Sequence, residues 1–283
     1  MEHLSGEALD ERLREFLSED IGLRDVTTEG TVRPGTRARG ELVAKSECVV
    51  SGLPVARRVF ELLDPEISWE EAVTAGAKVS APTTLACLAG RARAILTAER
   101  VALNLLQRMC GIATATRRFV DAVAGTPCRI LDTRKTAPGL RPFDRQAVRD
   151  GSGTNHRYDL SEMVLIKDNH RRLAGGVPKA VAAARRETPA QPIEVEVESE
   201  AEVAEAVAAG ADRILIDNQP PEAVARWCAI ARAAGRPVFV EASGNMRLET
   251  VRAYALAGVD AISVGALTHS VAAADISLEL LRA

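Results

Sequence analysis

The chain has 283 residues, 47% of them apolar and only 3% aromatic, which suits one large domain or two modest ones with a core built from Ala, Val and Leu. A formal charge of −3 argues against nucleic acid or a membrane surface as partner, and no apolar run reaches membrane-spanning length. Five scattered cysteines without C-x-x-C spacing, and an acidic, amphipathic N-terminal segment lacking a signal peptide's apolar centre, lead us to expect a cytoplasmic protein with reduced thiols.

In chain order, the apolar spacing predicts a helix from Glu7 to Leu17 and a turn-rich loop from Asp20 to Thr28. Gly40 to Val50 reads as a strand, followed by the helix-like PVARRVFELL. Ile67 to Val73 and Thr83 to Leu88 are shorter strands. A long helix is predicted from Thr97, as N-cap, to about Ala124, with Gly111 as its break.

After Thr126 short apolar runs recur: RILD, MVLIKD, IEVEVE, RILIDN, VFVEAS and AISVGA. Ala-rich helical stretches separate the later ones, at Val177–Glu187, Ser199–Ala209, Glu222–Ala234 and Arg247–Ala257. This alternation argues for parallel strands with crossover helices. In an α/β barrel, as in a doubly wound sheet, the chemistry sits at the strand C-termini. Each run here ends in a polar residue: Asp132, Lys167, Glu196 or Glu198, Asp217, Glu241.

The stretch from Asp132 to His170 is dense in cations, with Arg134, Lys135, Arg141, His156, Arg157 and Lys167 near turns or run ends. Guanidinium forks and ammonium groups at such positions suit a small ligand bearing several negative charges. A solvated basic turn is the plain alternative for Arg134 and Lys135, and a structural histidine for His156. Lys167 reads as an anion clamp or as the Schiff-base nucleophile of an aldolase. Glu194, Glu196 and Glu198 alternate with apolar residues, so period two predicts one shared strand face. Buried there, they need cations or a metal. Glu196 and Asp217 could meet across adjacent strands, and hard oxygen donors suit Mg²⁺. Ser243-Gly244-Asn245, predicted to open a helix, and Gly265-Ala266 are small-residue loops of the kind that let a phosphate approach the backbone.

DTRKT, PGLR, the glycine turn ending in NHR, and VLIKDNH occur in this order, with EDIGLRDVTT before them and EVEVES, LIDN, EASGN and SVGALTHS after them. This series resembles the quinolinate phosphoribosyltransferase family over nearly the whole chain. The resemblance implies an α/β fold: an N-terminal α+β sandwich-like domain over 1–112, an incomplete parallel α/β barrel of six or seven strands over 113–270, and a C-terminal helix over 271–283 packing on the N-terminal domain. It implies phosphoribosyl transfer from phosphoribosyl diphosphate to quinolinate with decarboxylation, in NAD biosynthesis. Lys135, Lys167, Glu196 and Asp217 become the expected catalytic residues, the last two also holding Mg²⁺. Arg100, Arg134, Lys135, His156, Arg157, Lys167, Ser243, Gly244, Asn245, Gly265 and His269 become expected substrate contacts. A homodimer, or a larger dimer-based assembly, is implied, with Arg100 donated across subunits. A molybdenum-transport-type homologue shares the fold and part of the basic motif; Asn155 beside His156, with VLIKDNH, favours the quinolinate enzyme.

Overall fold

A computed structural model describes residues 6–281. The chain forms two compact units. One comprises 1–117, 136–152 and 270–283; the other comprises 118–135 and 153–269.

The first unit carries α1 (Glu7–Ile21), α2 (Val26–Thr31), β1 (Arg37–Ala44), β2 (Cys48–Val49), α3 (Leu53–Leu63), β3 (Ser68–Glu71), β4 (Lys78–Val79), β5 (Thr83–Arg91) and most of α4 (Ala92–Ala122). Strands β3, β5 and β1 pair antiparallel, and β2 pairs separately with β4. Gly40, Leu42 and Ala44 of β1 are buried at period two, so one face of the sheet packs on the core. Leu13 and Leu17 of α1, and Val55, Ala56, Val59 and Phe60 of α3, complete that core.

Several features of this unit differ from expectation: α2 begins inside the predicted Asp20–Thr28 loop, and the predicted Gly40–Val50 strand divides into β1 and β2, which lie in different sheets. Helix α4 runs unbroken through Gly111, because the glycine answers an approach from outside the helix: a Cβ there would collide with the Ala272 carbonyl. Thr97 lies inside α4 rather than capping it, and its hydroxyl donates to Asp25 at 3.0 Å. Residues 276–281, expected to be helical, form a strand that pairs with β1 from Ala44–Ile276 to Arg39–Leu281 and extends the sheet. Ile276, Leu278 and Leu280 alternate with Ser277 and Glu279, a strand period.

The second unit is a parallel six-stranded sheet. Its strands are β6 (Arg129–Leu131), β7 (Val164–Ile166), β8 (Ile193–Val197), β9 (Arg213–Asp217), β10 (Phe239–Ser243) and β11 (Ala261–Ser263), ordered β6-β11-β10-β9-β8-β7. Thr154 adds a parallel bridge to Leu131, on the free side of β6. In chain order, the Thr154 segment and β7 therefore stand at the two ends of the ladder, which makes an incomplete barrel. The helix α5 (Arg141–Asp150), which lies between β6 and Thr154 in the chain, belongs to the first unit. Crossovers are made by α6 (Asp168–Ala174), α7 (Val177–Glu187), α8 (Glu200–Ala208), α9 (Pro221–Arg232) and α10 (Leu248–Leu256), and the short α11 (Ala266–His269) follows the last parallel strand. The final strand of the first unit is then β12 (Ile276–Leu281).

One device recurs where strands begin. Asp212 accepts the Ile193 N–H at 2.8 Å and pairs with Arg185 at 2.6 Å. Asp260 accepts the Val240 N–H at 2.7 Å and pairs with Arg232 at 2.8 Å. Each acid ties its own strand start to a neighbouring strand and to a helix. Among the described residues, no helix is long and apolar enough to cross a membrane.

Candidate active site

A cleft of about 460 Å³ opens at the C-terminal ends of the parallel strands. Its lining includes Arg134, Lys135, His156, Arg157, Lys167, Glu196, Asp217, Ser243, Gly244 and Asn245, all of them predicted from sequence. Leu165 and Leu215 supply apolar wall, and Thr133, Asn218, Glu241 and Ser263 line it too. Gly265 and His269 lie outside the lining but adjoin it. A Cβ at Gly265 would press on Lys135 at 3.1 Å and on the His269 ring at 3.2 Å, so the absent side chain makes room for them. Arg100 is exposed on α4, among first-unit residues.

The loop after β6 is held from two sides. The Thr133 hydroxyl accepts the Lys135 N–H at 3.1 Å, and the Thr268 hydroxyl of α11 donates to the Lys135 carbonyl at 2.9 Å. Asp132 is fully buried and accepts from Asn155 Nδ2 at 2.6 Å and from the His156 N–H at 2.7 Å. One strand-end carboxylate thus fixes the Asn155–His156 segment beside Arg134. Lys167 ends β7 and caps α6, with its N–H donated to His170 Nδ1 at 2.9 Å. Its side-chain nitrogen pairs with Glu196 at 3.0 Å, which fixes its position in the cleft. Arg157 donates to the Met163 carbonyl at 2.8 Å. Burial, and then the neighbouring charge of Arg134, lower the Arg157 pKa from its ordinary value. An anion between them relieves that repulsion.

Beneath these residues lies a layer whose acids the sequence pointed to but whose cation, Arg213, it did not. Glu194 and Glu241 are fully buried. Arg213 reaches both carboxylates at 3.2 Å, and His156 Nε2 lies 3.2 Å from Glu194 and 3.4 Å from Glu241. Ser263 donates a short hydrogen bond to Glu241. The Arg213 guanidinium also stacks on Phe239, 4.1 Å from the ring centre. His156, Glu194 and Glu241 are close enough together to suggest a metal triad. Arg213 already bridges both carboxylates and supplies the positive charge they need, so these residues do not call for a metal. In the neutral ring, His156 Nδ1 accepts the Arg157 N–H at 2.7 Å. Burial depresses the ring's pKa, but the Glu194 and Glu241 carboxylates outweigh burial and raise it to about 9. The sequence signal for this layer was period two itself: Glu194 and Glu196 both point inward from β8. Glu198 does not share their environment; it lies past the strand end, exposed, 3.5 Å from Arg171.

The loops after β9 and β10 interlock. Asn218 and Asn245 both adopt left-handed backbone, at φ 51° and 47°, as does Gly244 at φ 98°. Helix α10 starts only at Leu248, so Ser243–Asn245 run from the end of β10 into a loop rather than into a helix's first turn.

Two family models match consecutive parts of the chain: "Quinolinate phosphoribosyl transferase, N-terminal domain" matches residues 25–110, and the corresponding C-terminal domain matches 112–279. The chain belongs to the quinolinate phosphoribosyltransferase family. It is 41% identical to the probable nicotinate-nucleotide pyrophosphorylase [carboxylating] of Synechocystis sp. over 97% of this chain and 93% of that one. It is also 41% identical to the nicotinate-nucleotide pyrophosphorylase [carboxylating] of Mycobacterium leprae, over 97% and 98%. Among solved structures, NadC from Streptococcus pyogenes superposes with a TM-score of 0.92 at 37% identity, covering 99% of both chains. In this quinolinate phosphoribosyltransferase, residues of DTRKT, NHR, VLIKDNH, EVEVES, LIDN and EASGN line one cleft, whereas PGLR and EDIGLRDVTT lie outside its lining.

Proposed function

We propose that the protein transfers the phosphoribosyl group of phosphoribosyl diphosphate to quinolinate with decarboxylation, giving nicotinate mononucleotide, diphosphate and CO₂ in de novo NAD biosynthesis. The observation that carries this reading is the meeting, in one cleft, of four Arg and Lys side chains and His156 with Glu196 and Asp217. Two polyanions that repel each other need such a surplus of cations to lie side by side.

In this reading Arg134, His156, Arg157 and Lys167 hold the ring's carboxylates against the apolar surface of Leu165 and Leu215. Lys135, with the Ser243–Asn245 loop, receives phosphate oxygens; Gly265 and His269 support Lys135 from below. The pyridine nitrogen's lone pair forms the new bond to the anomeric carbon as the carbon–oxygen bond to diphosphate breaks. Positive charge develops on the ribose during this exchange, and Glu196 and Asp217 face it. The pyridinium so formed accepts the electron pair of the adjacent carbon–carboxyl bond as CO₂ leaves, and a proton replaces it. The hard oxygens of Glu196 and Asp217 suit Mg²⁺, which when bound would neutralise diphosphate charge.

The test is incubation with carboxyl-labelled quinolinate, phosphoribosyl diphosphate and Mg²⁺, with labelled CO₂ and the mononucleotide measured. Absence of both products would overturn the reading. A homodimer in the cytoplasm, with Arg100 of each copy completing the other's cleft, belongs to the same proposal. Mixing inactive Arg100→Ala and Lys167→Ala proteins is then expected to restore about a quarter of the activity, because half the dimers would hold one intact site. No recovery on mixing would remove Arg100 from the cleft.

A further inference from the structure

Asn218 makes three bonds at the cleft rim. Its N–H donates to the Ser243 carbonyl at 2.9 Å. Its side-chain Nδ2 donates to the Asp217 carboxylate at 2.7 Å, and its Oδ1 accepts from Asn245 Nδ2 at 3.1 Å. Gly244 completes the fit, since a Cβ there would run into the Asn218 side-chain amide. The backbone at Asn218 is left-handed, at φ 51°. Glycine would hold that conformation at no steric cost; asparagine holds it and adds a donor and an acceptor. Those two groups point to the strand-end carboxylate on one side and to the neighbouring loop on the other.

We propose that Asn218 is a positioning residue that locks the Asp217 carboxylate and the Ser243–Asn245 loop into one preorganised unit for the sugar diphosphate. The inference rests on the functional reading above and deepens it. Asn218 orients a group expected at the ribose and a loop expected at phosphate. The ring's carboxylates are met instead by Arg134, His156, Arg157 and Lys167. Loss of the lock should therefore weaken one substrate and spare the other.

The test is Asn218→Gly, which keeps the backbone conformation and deletes both side-chain bonds. The KM for phosphoribosyl diphosphate is expected to rise about tenfold, the scale of one or two net hydrogen bonds, while the KM for quinolinate stays within about twofold. Asn218→Asp keeps the left-handed backbone and the acceptor, but sets a second carboxylate against Asp217. It should also raise that KM and make it more dependent on Mg²⁺ concentration. The thermal midpoint of both variants should stay close to that of the unaltered chain, because the side chain is exposed. Calorimetry of phosphoribosyl diphosphate binding gives the same comparison without turnover. An unaltered chain that binds no phosphoribosyl diphosphate overturns both this inference and the reading beneath it. An active chain whose Asn218→Gly variant shows unchanged KM values, or an equal rise for both substrates, overturns this inference alone.

Discussion

The two ends of the parallel sheet use charge in opposite ways. Where strands begin, Asp212 and Asp260 each meet an arginine and a backbone N–H, so the charges are satisfied within the fold. At the other end, Arg134, Lys135, Arg157 and Lys167 crowd one cleft with three carboxylates, of which Glu241 is paired with Arg213 and Glu196 with Lys167. Burial first, and then the charge of Arg134, lower the Arg157 pKa. The first arrangement holds strands together. The second stores repulsion that a polyanion relieves, so binding, rather than folding, completes it.

That contrast can be broken in three places. The largest expected effect is Lys167→Ala, which removes a cation from the cleft and leaves Glu196 unpaired. Steady-state kinetics should show kcat/KM down by about a thousandfold, the usual scale for a preorganised electrostatic group. The thermal midpoint should barely move. Near-normal kinetics would mean that the open charge is idle. Borohydride with a carbonyl substrate should leave no adduct on Lys167.

A middle-sized effect is expected from His156, which bridges the two regimes. Its ring titrates at about 9 when folded and near the ordinary 6.5 when unfolded. A raised pKa contributes stability that is fully present below about pH 6.5 and is lost as pH climbs through about 9, roughly 3 kcal/mol in all. Urea unfolding across that window should show the decline, and Glu241→Gln should flatten it. A flat profile in the unaltered chain would place the proton elsewhere. The smallest effect belongs to the satisfied end. Asp212→Ala should cost about 1–2 kcal/mol of stability, chiefly through the orphaned Ile193 N–H, because the half-exposed Arg185 pair contributes little. Turnover at low temperature should be unchanged. A large kinetic defect would show that the two ends are not independent.

Much of this was legible in the chain. The six apolar runs after Thr126 became the six parallel strands because each is short, continuous and closed by a polar residue, as strands covered on both faces must be. The cations of the cleft were legible for a related reason: Arg134, Lys135 and Lys167 interrupt apolar runs where a core has no use for them. What escaped was whatever depends on distant segments. Gly111 looks like a helix break until the Ala272 carbonyl is seen against it. Residues 136–152 fold with the first unit although they lie between strands of the second. Glu241 reads as one more polar strand end, and only the register of the neighbouring strands reveals Arg213 beside it. Asn218 resembles any turn asparagine, since its partners lie on another loop.

The bond from Thr268 to the carbonyl of Lys135 joins residues 133 positions apart. β6 itself waits for β11 to pair with it, and the loop that presents Lys135 gains its second anchor only when α11 has left the ribosome and returned to meet it. Ligand competence thus arrives near the end of synthesis, so a chain stalled before α11 would bury much of its core and still bind neither substrate well.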